Sequence, residues 1–231
     1  MTTPPSSRDH AALPIGAQVM LRPLANPLPL GFLALGVATL LLSAVQLQWI
    51  PAEDATTVAV ILIVLVAPLQ LLASILGFLA RDPVAGTGMG ILAGTWAAVG
   101  LVTLRSPLGS TSHALGLLLL ASGTAMVVPA LGALQSKLIP ALVLATTALR
   151  FALTGIYQLS SVTGWKIAGG VTGVVLSALA LYAATAFMVE ETSHRSWLPL
   201  GRRSRGRRAI TGDLDQQLAH IASEAGVREQ L

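Results

Sequence analysis

Residues 57–79 read TVAVILIVLVAPLQLLASILGFL, and this stretch decides the fold class. It carries no charge and is long enough, as a helix, to cross about 30 Å of hydrocarbon. Pro68 interrupts it near the middle and Gln70 is its one amide. On both sides the pattern repeats. Apolar runs of similar length occupy 28–48, 84–104, 112–134, 138–159 and 165–189. The connections are short and punctuated as turns: Ile50-Pro51-Ala52-Glu53-Asp54, Arg81-Asp82-Pro83, Arg105-Ser106-Pro107 and Gln135-Ser136-Lys137. The reading is an all-α membrane protein, a bundle of six transmembrane helices.

Composition agrees. The 231 residues are 54% hydrophobic and 10% charged, against about a quarter charged in soluble domains. Most of the surface therefore faces something other than water. Alanine, glycine and leucine dominate, and small residues at that density suit close helix packing in lipid. There are no cysteines, so disulfides, thiolate metal sites and cysteine nucleophiles are excluded.

Orientation follows from the lysines and arginines. With the N-terminus inside, the inner segments hold Arg8, Arg22, Arg81, Lys137, Arg195, Arg202, Arg203, Arg205, Arg207, Arg208 and Arg228. The outer segments hold only Arg105 and Lys166. Both ends are expected in the cytoplasm, with the bundle in a cell membrane, the bacterial inner membrane in particular. Residues 1–25 are polar and read as a disordered arm rather than a cleaved signal. Residues 26–201 form the membrane domain, and 202–231 a basic tail. Ile210, Leu214, Leu218 and Ile221 recur there at helical spacing, which fits a short amphipathic helix or a frayed surface one. The arginines between 202 and 208 could touch anionic headgroups or serve only as the topology signal.

Soluble-type chemistry is not visible. His10, His113, His194 and His220 are scattered without metal-ligand spacing. No nucleophile–base pair stands out, so no enzyme, cofactor or metal site is expected, and no nucleic-acid partner. The stretch Gly88-Met89-Gly90-Ile91-Leu92-Ala93 matches a dinucleotide motif by letter, but it follows no strand. Gly86, Gly90 and Gly94 instead form a flat helical stripe. Gly169, Gly173 and Ser177 form another, and such stripes let backbones approach closely.

Arg150, in Ala148-Leu149-Arg150-Phe151, is the one ionisable residue deep inside a span. A charge there costs at least about 2.5–3.5 kcal/mol on insertion scales, so such residues face the bundle interior or a wet cavity and find a partner. No intramembrane Asp or Glu is available. What remains is Gln70, Gln158, backbone carbonyls, water or a transported anion. An arginine fork suits a carboxylate because it donates two parallel hydrogen bonds. The alternative is a snorkelling or subunit-interface arginine. Thr39 and Ser43 share a face of the first helix and can line a passage or bond back to their own helix.

The residues entering the first helix are Asn26-Pro27-Leu28-Pro29-Leu30-Gly31. The prolines fix the chain at a helix start, where their missing N–H groups cost nothing. Asn26 can cap the helix or offer donors and acceptors at a pore mouth, and spacing alone leaves both open. The pattern resembles the N-P-x-P-L-G signature of the acetate uptake transporter family. Gly36, Thr39, Gln70 and Trp96 fall on matching family positions. Tyr182, Glu191, Arg195 and Leu198-Pro199-x-Gly201 resemble its closing segment. The resemblance covers about 25–201.

It implies a cyclic homo-oligomer, a hexamer, with a path for small monocarboxylates or succinate through each subunit. It tips Asn26 toward the substrate path, with Thr39, Gln70 and Arg150. It also implies an apolar constriction of aromatics, replaced here by Leu35 and Leu92. Two family glutamates correspond to Gly77 and Phe187, so a carboxylate proton relay is not visible. That favours a channel-like path, or passage of the protonated acid, over proton symport. The expected function is a permease or channel for small carboxylates such as acetate. The alternatives are a transporter of another small solute such as ammonium, and a non-transporting protein that recruits partners through its basic tails.

Overall fold

Pro68 leaves its mark on the second span. A computed structural model describes residues 24–193 and 198–202. In it the span is one continuous rod, Ala52–Leu79 (α2), but not one regular helix. It opens with a 3₁₀ turn at Ala52–Asp54, continues as α-helix over Ala55–Ile61, widens into a π turn at Leu62–Val66, and resumes as α-helix over Ala67–Leu79. Proline has no N–H and its ring presses on the preceding turn. A wider turn just before it absorbs that misfit without breaking the rod.

The other spans are α1 (Leu28–Gln46), α3 (Pro83–Arg105), α4 (His113–Leu134), α5 (Leu138–Ser160) and α6 (Thr163–Ser193). All six are long and apolar enough to cross a membrane, and no strand is present among the described residues. The chain is a multi-pass membrane protein. The N-terminal arm, the amphipathic tail and Arg195 lie outside the described residues.

Each helix packs on its chain neighbour, and α6 returns to α1, so the bundle closes as a ring in sequence order. Its outside is apolar, with Val64, Leu117, Val128 and Leu131 among the most exposed side chains, as a lipid-facing surface requires. Its inside holds Phe32, Leu35, Leu62, Met89, Leu92, Trp96, Met126 and Phe151, all buried. Turns at positive φ end three of the spans, at Gln48, Arg81 and Ser161. They reverse the chain within a few residues, and this keeps neighbouring helices antiparallel and close.

Small residues set the closest approaches. A methyl group on Gly77 would lie 2.8 Å from the backbone nitrogen of Gly86, so α2 and α3 touch backbone to backbone. Ser74 ties the same seam by donating to the Gly86 carbonyl at 2.7 Å. Gly90 faces Ser74, while the position beside Gly94 is open space. On α6, Gly169 faces Thr154 of α5, Gly173 faces α1 and α5 together, and Ser177 donates to the Gly36 carbonyl of α1.

Candidate functional site

The ring encloses a cavity of about 580 Å³ that opens at the end away from the termini. Every helix contributes to its wall: Leu42 from α1, Leu62 from α2, Val99 from α3, Leu119 from α4, Thr154 from α5 and Lys166 from α6. Arg150 and Lys166 are the cations on this wall, and among the described residues no Asp or Glu joins them. The acids of the described spans, Glu53, Asp54, Asp82, Glu190 and Glu191, sit at helix ends.

Arg150 stands on the floor of the cavity beside Trp96 and Phe151 and is only 2% exposed. It makes no hydrogen bond and no ion pair among the described residues. Its guanidinium carbon lies 6.0 Å from the Trp96 ring centroid, an attractive contact that offsets part of the burial cost. Trp96 is braced edge-on by Phe151, with ring centroids 5.3 Å apart. Nearby polar atoms are likewise unsatisfied. Trp96 Nε1 and Ser43 Oγ are buried without a partner. Gln46 donates weakly to Thr154 at 3.4 Å, and its Oε1 has no partner. Buried polar groups normally find partners, so a cluster of orphans marks a place where something else binds.

A second, smaller cavity of about 60 Å³ lies toward the end carrying the termini. Leu28 and Phe32, Ala85 and Met89, Ala133, and Pro140 and Leu144 line it. Along α1, α3 and α5 the order is therefore the same: small cavity, a stretch that lines neither cavity, large cavity. Leu35 and Leu92 belong to this intervening stretch on α1 and α3, and they are 0% exposed and line neither cavity.

A family model described as the GPR1/FUN34/yaaH family matches residues 11–201 of this chain. The chain belongs to the GPR1/FUN34/yaaH family. The resemblance to acetate uptake transporters drawn from the helix-one signature is thereby borne out. Among solved structures, one titled as the bacterial acetate channel SatP superimposes with a TM-score of 0.70 at 22% sequence identity, over 77% of this chain and 99% of that one. Comparison with curated proteins gives no match.

In this GPR1/FUN34/yaaH member the signature is a packing device around the start of α1. Asn26 Oδ1 accepts from the backbone of Leu28 at 3.1 Å. Pro27 and Pro29 are buried, Leu30 is half-buried, and Gly31 lies so close to Met89 of α3 that a methyl group would fall 2.5 Å from its sulfur. Gln70 of α2 donates to the Gly31 carbonyl at 3.3 Å, and its own Oε1 is left without a partner. Thr39 spends its hydroxyl on the carbonyls of Leu35 and Gly36. Ser43, one turn on, does not. Gln158 lines the large cavity and accepts from Ser112 N at 2.8 Å. Neither Asn26 nor Gln70 lines a cavity with Arg150; Gln70 sits with Gly31, and Arg150 sits with Ser43 and Trp96.

Phe187 stacks on Phe32 at 6.1 Å and carries Lys137 Nζ over its ring at 4.7 Å. Two features of the site were not visible in sequence. Gly173 reads as helix packing until Arg150 is seen against it. Trp96 reads as a family match until its indole nitrogen is found unpartnered.

Proposed function

We propose that this protein is a channel-like permease for small monocarboxylate anions, acetate foremost, with the path running down the centre of each subunit. One observation carries the reading: a buried, unpartnered Arg150 at the floor of a wide cavity whose described wall holds no carboxylate. Such a cavity concentrates anions and repels none. Membership of the GPR1/FUN34/yaaH family and a fold shared with a bacterial acetate channel support it. Arg150 opposes the ammonium alternative, since a fixed cation in the path raises the barrier to another.

Between the two cavities the anion crosses an apolar barrier in which Leu35 and Leu92 take part, a place where a pore gates by dewetting. The end carrying the termini faces the cytoplasm of a cell membrane, as the arginine bias requires. The subunits assemble as a cyclic homo-oligomer, a hexamer by family resemblance. The test is flux into liposomes holding purified protein, with labelled acetate, succinate, chloride and ammonium compared. Acetate uptake that falls in Arg150→Leu at equal reconstitution supports the reading. Flux of ammonium alone, or acetate flux indifferent to Arg150, overturns it.

A further inference from the structure

Three buried donors, each from a different helix and each unpartnered, belong to side chains gathered at Arg150: Ser43 Oγ on α1, Trp96 Nε1 on α3 and Arg150 Nη1 on α5. Ser43 is 0% exposed, Trp96 1% and Arg150 2%. The fourth wall is Gly173 on α6. A methyl group there would lie 2.5 Å from Arg150 Cζ and 2.7 Å from Nη1, and Ser43 Oγ would be nearer still. Ser43 and the guanidinium therefore share one small space against the backbone of α6, and that space exists because residue 173 has no side chain.

Leaving these donors unsatisfied is costly in a membrane interior. Each buried orphan forfeits roughly 1–3 kcal/mol, and more when charged. A structural arginine would be expected to take a carbonyl or a carboxylate, and Arg150 takes neither. A carboxylate group resolves the cluster. It has two oxygens with several lone pairs, accepts from a guanidinium fork, and can take an indole N–H and a hydroxyl at the same time. The large cavity, which Arg150 and Trp96 line, is also walled by Leu42, Leu62, Val99, Leu115, Leu119 and Phe151. These apolar walls suit a short alkyl tail.

We infer that Arg150, Ser43 and Trp96 form a built binding site for the carboxylate of a short-chain monocarboxylic acid, and that Gly173 sets its size. The inference rests on the reading of the protein as a monocarboxylate permease and assigns that path its docking point. Ser43 and Trp96 are ligand-binding residues, whereas Gly173 acts by leaving room.

Saturation-transfer NMR of acetate, propionate and succinate with the full chain in nanodiscs tests the site, alongside liposome flux of the same variants. Transfer to acetate and propionate is expected for the native chain. Ser43→Ala should weaken acetate binding about tenfold, the loss of one hydrogen bond to a charged group. Trp96→Phe keeps an aromatic ring without the N–H and should do the same. Gly173→Ala should abolish binding even though alanine suits a helix, and Gly173→Ser should not restore it. Ser43→Ala changes little volume, so its folded yield guards against a result that is mere unfolding. Native-strength binding in both Ser43→Ala and Gly173→Ala overturns the site. Binding that behaves as expected without acetate flux overturns the transport reading and leaves the site standing.

Discussion

Ser177 on α6 donates its hydroxyl to the carbonyl oxygen of Gly36 on α1 at 2.9 Å, joining residues 141 positions apart. This bond sits on the seam where the last helix meets the first and the ring closes. Gly36 leaves the space: a methyl group there would meet Leu181 at 3.2 Å. Ser177→Ala removes the bond alone and should cost about 0.6 kcal/mol, the typical value within membranes. Ser177→Leu also wedges the seam and should cost a further ~1–3 kcal/mol. Thermal unfolding in detergent reads both. Equal melting of the two variants would mean that the seam is not tightly packed.

At the α2–α3 seam, any Cβ at Gly77 meets the Gly86 backbone. An acid at this position, Gly77→Glu, should therefore fail. The expected outcome is loss of folded, monodisperse protein on size-exclusion chromatography, with Gly77→Ala impaired in the same direction. A stable Gly77→Glu with new proton-dependent uptake would show that the backbone contact can open.

The chain after α6 folds back on the start of α5. Leu138 N and Ile139 N donate to the carbonyls of Gly201 and Leu200, at 3.0 and 3.2 Å, satisfying N–H groups that a helix start leaves free. Tyr182 donates to the Pro199 carbonyl at 3.0 Å, and Arg202 pairs with Glu190. Gly201 stands at φ +64, a backbone that an alanine adopts only at a cost of about 1–2 kcal/mol. Tyr182→Phe should loosen this strap modestly and Gly201→Ala strongly. Hydrogen exchange at Leu138 and Ile139 measures it, and faster exchange is expected in that order.

Much of this architecture was legible from residue type. Six apolar runs give six helices because lipid accepts no unpaired backbone, so length and hydropathy suffice. The second span begins earlier in the structure than its apolar run, since Glu53 and Asp54 fit a helix start, where negative charge is favoured. The isolation of Arg150 was likewise readable, because no acid lies within a span. Its surroundings were not. The meeting of Ser43, Trp96, Arg150 and Gly173 depends on the rotation of four helices about their axes, and no local pattern records that. Thr39 and Ser43 look alike in sequence, yet the first bonds to its own helix and the second does not.

Coupling offers a test that needs no mutation. The carboxylates of the described spans stand at helix ends, leaving no buried acid to carry a proton through the bundle. Acetate uptake should follow the gradient of the anion itself and proceed without a pH gradient. Liposomes with equal pH on both sides, a potassium–valinomycin potential and an acetate gradient provide the measurement. Uptake that vanishes without a pH gradient, and returns with one at the same anion concentration, would establish proton coupling by another route.

The proposed barrier makes the last prediction. Leu35 and Leu92 lie between the two cavities along their helices and are fully buried. A gate that works by dewetting depends on the width and apolarity of its narrowest ring. Leu92→Ala removes bulk without adding polarity, so acetate flux should rise several-fold and succinate should begin to pass. Leu92→Ser, which also wets the ring, should raise flux further. Leu35→Phe fills the ring and should lower flux with little change in acetate binding at Arg150, because the binding site stands on the cavity side of the barrier. That separation of flux from binding is the informative readout. If Leu35→Phe weakened binding as much as flux, the leucine would act on the docking point and not on a gate. If neither Leu92 variant changed flux at matched reconstitution, the anion would cross elsewhere in the ring.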